Sequence, residues 1–177
     1  MEHMEKSKKF SSGGIVIDTK NKKILLTQRL SINEEESQTM HKLFDILDLP
    51  PEFLFEKLKW CFTKGTIEKW ETAIEAACRE IEEEWWIPSQ ELAFEKDVWS
   101  FTKEKAKTIK EIKMALFRID KEYITHPRPT DPRHIARFID IHKAIEILHS
   151  EEERAFLLSI QKDIEEVFTT YQTDNVT

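Results

Sequence analysis

Between Gly65 and Ile87 the chain reads GTIEKWETAIEAACREIEEEWWI, and its carboxylates recur at helical spacing. Glu71 comes first, then Arg79-Glu80, then Glu83-Glu84. At about 3.6 residues per turn, positions 80, 83 and 84 share one face of a helix. Carboxylates packed that closely repel one another unless water screens them or a cation lies between them. Hard divalent cations such as magnesium take oxygen ligands and are commonly held by a few carboxylates plus the phosphates of a substrate. One reading of this stretch is thus a metal site acting on phosphate. The other is a solvated, Glu-rich surface helix.

The spacing, by its resemblance to a known motif, favours the first. Gly65, five residues, Glu71, seven residues, Arg79-Glu80-Ile81, one residue, Glu83-Glu84, two residues, Ile87 resembles the signature box of the Nudix hydrolases. The motif fixes several residue types at once and is far more specific than a lone glycine pattern. That family cleaves nucleoside diphosphates linked to some other group, using magnesium or manganese. The resemblance implies an α/β/α sandwich with a mixed β-sheet, the box forming a loop-helix-loop. It also implies that Glu80, Glu83 and Glu84 are the metal shell, with Glu80 or Glu83 taking the proton from water. Arg79 then pairs with a box glutamate and holds its rotamer, an orienting role within the catalytic group.

The elements around the box carry weaker likenesses. Trp60 to Gly65, WCFTKG, resembles the W-x-(Leu/Phe)-P-K-G approach of the subgroup that hydrolyses diadenosine and diphosphoinositol polyphosphates, with Thr63 in place of proline. Lys64 is placed to neutralise phosphate charge, and Gly65 lets backbone groups approach metal or phosphate. Upstream, FSSGGIVIDTKNKKILLTQR from Phe10 reads as a hairpin with its turn at Asp18 to Lys23. By resemblance Gly13 and Gly14 allow close approach of substrate or of a neighbouring strand; a simple strand kink is the alternative. Arg29, at the end of the second strand, either reaches a phosphate with its guanidinium fork or is a surface residue.

Residues 30–59 fit the family least and read as a helical insertion, a lid or a packed excursion, with one short helix near Ser37 to Leu47 and a second from Pro51. On the box helix, Ile74, Ala77, Cys78 and Ile81 are the expected buried face. Strands are expected at 91–101 and 109–119, joined by a charged turn EKAK. On the second, Lys110 and Lys113 either line the phosphate site or face solvent, and Glu111 is a possible extra carboxylate. THPRPTDPRH, 125–134, falls where the family has a variable substrate-facing loop, or is a plain connector. A strand, a short helix and a long helix close the chain, with Ala144, Ile147, Leu148, Phe156, Leu157, Ile160 and Ile164 as core stripes.

The expected organisation is a disordered basic tail at 1–9, a single domain at 10–170 and a frayed end at 171–177. A length of 177 residues with 40% hydrophobic content suits one domain with a real core. The net charge of -7 argues against a stable nucleic-acid partner, which would call for a basic surface. Nothing reads as a signal peptide or a membrane span. Cytoplasm is the expected location, with Cys61 and Cys78 free and acting as small core fillers.

Two readings stay open for the glycines. The chain has three, against about 7% in ordinary proteins, and five tryptophans. Trp70 and Trp86 stand where the family usually has glycine. Either they are genuine, and the left-handed backbone glycine serves there is strained, or a reassigned stop codon meaning glycine underlies both. The expected substrate is a nucleotide polyphosphate, a dinucleoside polyphosphate first, then a nucleoside triphosphate or RNA 5′ end. From other classes, a Nudix-fold binding protein that has lost catalysis and a helical interaction module remain as rivals.

Overall fold

The computed structural model describes residues 6–29, 59–85, 87–119 and 134–173. The expected insertion helices, Trp86 and nearly all of the Pro-rich loop lie outside them. Six strands form one mixed sheet: β1 Ser7–Asp18, β2 Lys23–Arg29, β3 Thr63–Thr66, β4 Leu92–Lys105, β5 Thr108–Ile119 and β6 His134–Asp140. The helices are α1 Ala73–Trp85, α2 Ile141–Ile147 and α3 Glu151–Thr173, with a 3-10 turn at Ser89–Glu91. Strand order is β4-β5-β1-β2-β6, and β3 pairs with β1 outside that path.

β1 organises the sheet. It runs parallel to β5 along its whole length, from Ser7 opposite Thr108 to Asp18 opposite Ile119. Its other edge is shared: Ser11 to Gly14 pair with β3, and only Ile17 and Asp18 pair with β2. The chain at 61–66 thus enters the gap where β1 and β2 part. It is tied to β2 by reciprocal hydrogen bonds between Thr27 and Cys61, each 2.9 Å. β1 begins at Ser7, inside the stretch the sequence reads as a tail, and α3 runs to Thr173, into the expected frayed end.

Burial explains the uninterrupted Ile15-Val16-Ile17 run, since a strand covered on both faces need not alternate. Ile15 and Ile17 point into a core shared with Phe62, Leu157 and Ile160 under α2 and α3. Val16 points into a second core with Ala77, Ile81 and Trp85 under α1. This gives the three layers. Gly14 is required by the second core, because a Cβ there would collide with the Ile81 side chain of α1. Gly13 is required by β3, whose Thr63 carbonyl and Lys64 would be struck in the same way. Close approach, of a strand and a helix, is what both glycines permit.

α1 starts with a reciprocal capping box. The Glu75 N–H donates to Thr72 Oγ1 at 3.2 Å, and the Thr72 N–H donates to Glu75 Oε2 at 2.7 Å. Its buried face is Ala76, Ala77, Ile81 and Trp85, whereas Ile74 is exposed and Cys78 only half-buried. The stripe is rotated from the expected one because the Trp85 indole is pulled inward, donating to Thr63 Oγ1 at 2.5 Å. Asp140 caps α2 by accepting from the His142 and Lys143 N–H groups at 2.9 and 3.2 Å. Among the described residues no helix is long and apolar enough to cross a membrane.

Candidate active site

The site forms where β3 meets the side of α1. Gly65 faces α1, and a Cβ on it would fall on the Glu80 carboxylate. A bare backbone at 65 is what lets Glu80 lie flat against β3. Beside it, the Glu84 carboxyl takes a hydrogen bond from the Thr63 hydroxyl and lies in the field of Lys64. Thr63, where the family subgroup carries proline, therefore engages both Glu84 and Trp85.

Arg79 uses all five of its N–H donors. Nε and Nη2 grip Glu71 side-on at 3.0 and 2.8 Å, Nη1 reaches Glu80 at 2.8 Å and Glu83 at 3.2 Å, and Nη2 also donates to the Thr66 carbonyl at 3.2 Å. This guanidinium joins the box loop, through Glu71 and Thr66, to the helix. It also supplies the positive charge between Glu71, Glu80 and Glu83. The bond from Arg79 and the Glu68 N–H hold the Glu71 carboxyl below its usual range.

The remaining carboxylates are shifted the other way. Burial, then the Glu80 charge, pushes Glu84 up to about 7 against the pull of Thr63 and Lys64. Burial also raises Glu80, against Arg79. Glu83 raises both, so the three sense one another, although Glu83 stays 59% exposed. Among the described residues no group of three His, Cys, Asp or Glu side chains converges on one point fit for a metal ion. The donor set itself fits a hard divalent cation: three carboxylates on one helix flank, two with raised pKa values that a nearby cation would reverse.

Lys64 is held from the far side of the sheet. Its Nζ lies 2.8 Å from Glu153 Oε1 and donates to the Phe62 carbonyl at 3.0 Å. Glu153, in the first turn of α3, is wholly buried. It also receives Lys103 Nζ at 2.5 Å and the Phe62 N–H at 3.1 Å. Desolvation opposes its ionisation, yet the Lys64 and Lys103 charges and hydrogen bonds hold its carboxyl below the usual range. Burial works against the Lys64 ammonium, but Cys61, Glu153 and Glu84 keep its pKa above the ordinary value. One turn on, Phe156 meets Phe101 stacked at 4.7 Å and Phe62 edge-on at 6.1 Å, contacts worth about 0.5–1.5 kcal/mol each beyond area burial.

Of the residues expected at the site, Lys64, Gly65, Arg79, Glu80, Glu83 and Glu84 are brought together. Arg29 ends β2 opposite His134 of β6, and its side chain lies outside the described residues. Lys113 pairs with Ser12 and Ser100 on the α1 face of the sheet. Strand alternation therefore puts Lys110 on the opposite face, so the two do not line one surface. Burial pushes the Cys61 thiol up, as it does Cys78, so neither is a ready thiolate.

Glu153 and Lys103 were not singled out by the sequence. The available signal was Ser150-Glu151-Glu152-Glu153, a Ser-x-x-Glu capping box in which Glu153 would fold back on its own helix. The Glu153 N–H does donate to Ser150 Oγ at 3.3 Å, but its carboxylate turns inward to Phe62 and the two lysines.

A loop-helix box packed on one face of a mixed sheet, with α2 and α3 covering the other, defines a family. The NUDIX domain model matches residues 8–159, and the chain belongs to the Nudix family. With that membership goes the reaction class, pyrophosphohydrolase, and a general use of divalent metal ions. Among solved structures, the fold is shared with a C. elegans Ap4A hydrolase in a binary complex at TM-score 0.63 and 17% identity, covering 89% of this chain and 98% of that one. A MutT protein from Methanosarcina mazei Go1 matches at TM-score 0.58 and 14% identity, over 90% and 96% of the two chains. The E. coli dihydroneopterin triphosphate pyrophosphohydrolase matches at TM-score 0.55 and 17% identity, over 86% and 95%. No curated protein matches the sequence.

Proposed function

We propose that the protein hydrolyses a diphosphate linkage in a nucleotide polyphosphate, a dinucleoside polyphosphate foremost, with magnesium as its cation. The observation that carries this reading is the meeting of opposite requirements at β3. Gly65 makes room for Glu80 on one face, while Lys64 is anchored by Glu153 on the other. An acidic cation site and a basic phosphate contact thus come from adjacent residues of one strand.

Glu80, Glu83 and Glu84 would hold the cation. When bound, such an ion lowers the pKa of an attacking water and neutralises charge on phosphate oxygens. Glu80 or Glu83 would take the proton from water; of the two, Glu80 is the one seated against β3 at Gly65 and bonded by Arg79 Nη1 at 2.8 Å. Arg79 fixes the approach of Glu80 from the side, and Lys64 meets phosphate charge. A dinucleoside polyphosphate is favoured by the WCFTKG approach and by the fold shared with the C. elegans Ap4A hydrolase. The two cysteines are unpaired and suit a reducing compartment such as the cytoplasm.

The test is a phosphate-release screen over nucleotide polyphosphates, with and without magnesium. Magnesium-dependent release from a dinucleoside polyphosphate is the expected result. Nucleotide binding with no release from any compound would replace this reading with that of a binding protein.

A further inference from the structure

On the α3 face of the sheet, lysines are stacked across three strands. Lys9 of β1 lies opposite Lys110 of β5, and Lys110 lies opposite Lys103 of β4. Like charges set directly opposite one another weaken a sheet. The row is continuous with the site, because Lys103 and Lys64 share one oxygen of the buried Glu153. Lys110 feels all of this: burial first, then Lys64, Lys103, Lys105 and Lys9, pull its pKa below the ordinary value. Among the described residues the acidic groups in reach are few. Glu153 is shared by two lysines, Glu152 is exposed beside Lys103, and Glu84 belongs to the other side of β3.

A line of ammonium groups that shares the one buried carboxylate of Glu153 at its Lys64 and Lys103 end and continues through Lys110 to Lys9 matches one ligand chemistry: an extended chain of phosphates. We propose that Lys103, Lys110 and Lys9 form a second anion subsite continuous with Lys64, which takes the phosphates beyond the diphosphate that is cleaved and so selects longer phosphate chains. The proposal rests on the reading of Lys64 as a phosphate contact. Among the described residues Lys110 has no acidic partner on β1 or β4; the residues opposite it there are Lys9 and Lys103.

The test uses inorganic tripolyphosphate against pyrophosphate, by calorimetric titration of the full chain with chelator present. No hydrolysis is needed, so the result is separate from the phosphate-release screen: an inactive protein that still binds tripolyphosphate through these lysines would sink the proposed function and leave the subsite standing. Wild type is expected to bind tripolyphosphate more tightly than pyrophosphate, in a salt-sensitive way. Lys110→Gln should weaken tripolyphosphate at least about tenfold while leaving pyrophosphate nearly unchanged. Lys143→Gln, at a remote surface pair with Glu146, should change neither. Lys110→Gln should also melt at or above the wild-type temperature at low salt, since it relieves repulsion; a lysine kept for structure would give the opposite. Equal binding of the two anions by wild type, or an unchanged tripolyphosphate affinity in both Lys110→Gln and Lys103→Gln, would overturn the subsite.

Discussion

The α-carbon of Gly65 and the carboxylate of Glu80 share a space that no side chain at 65 can enter. What would have to move is the tip of a flexible side chain and not backbone, so the penalty falls on function more than on folding. Gly65→Ala is expected to keep the melting temperature within a few degrees and to lose most turnover. A large fall in melting temperature with activity per folded molecule intact would show that Glu80 need not lie there.

Glu84 links pH to stability. Its folded pKa, about 7, exceeds the ordinary 4.5. Between those values the folded protein keeps a proton that the unfolded chain has released, so stability falls as pH rises through that window. Thermal melts of chelator-treated protein from pH 4.5 to 8 should show this slope, and Glu84→Gln should flatten it. The same variant should keep the fold and lose more than about a hundredfold of magnesium-dependent turnover, since even outer-shell partners of a metal cost 10–100-fold. Unchanged turnover would remove Glu84 from the cation site.

Glu153 behaves in the reverse sense. Its lowered folded pKa means that its stabilisation is present above the ordinary carboxylate value and is lost as pH falls through the folded one. Glu153→Gln leaves Lys64 and Lys103 without their shared anion, and breaking a buried pair in this way costs about 3–5 kcal/mol. Chemical denaturation should register that loss at pH 7 and a smaller one below pH 4. A loss independent of pH would mean that packing, not charge, is what Glu153 contributes.

Arg79 is a test of geometry over charge. Lysine keeps the cation but cannot grip Glu71 with two parallel bonds while reaching Glu80 and Thr66. Arg79→Lys should therefore lower kcat by at least about tenfold, as for other positioning residues, with KM little changed. Glu71→Gln should lower it in parallel, and the double variant should be no worse than the more damaged single one. Additive losses would separate the two residues.

Trp70 is 82% exposed, and Lys22 is the only non-glycine residue with positive φ among those described. The strain expected of a tryptophan at 70 is therefore absent. Trp70→Gly should shift stability by no more than about 0.5 kcal/mol, as for other exposed surface positions. The mass of the peptide spanning 70 and 86 from the native host decides whether glycine or tryptophan is inserted there.

What was legible in the sequence was whatever is written locally. The run Ile15 to Ile17, the long alternating strands and the α3 stripe announce their elements because burial acts on neighbours two or four positions apart. The box residues were legible because their spacing resembles a family motif, and the structure places Gly65 and Glu80 against each other. The stripe of α1 was misjudged at Ile74 because the choice of face is made by Trp85 bonding Thr63, across a loop. Glu153 was missed for the same reason at greater range, its partner Phe62 lying 91 residues earlier. Lys110 and Lys113 are close in sequence, yet a pleated strand sends them to opposite sides.

The long-range character of β1 and Glu153 has a consequence for synthesis. β1 waits for its parallel partner, β5, until about a hundred residues later, and Lys64 waits for α3. A ribosome that has released the entire acidic helix has therefore not yet made the partners that fix β1 and Lys64. Chains cut short before residue 153 would carry the complete signature and still lack the carboxylate that holds Lys64.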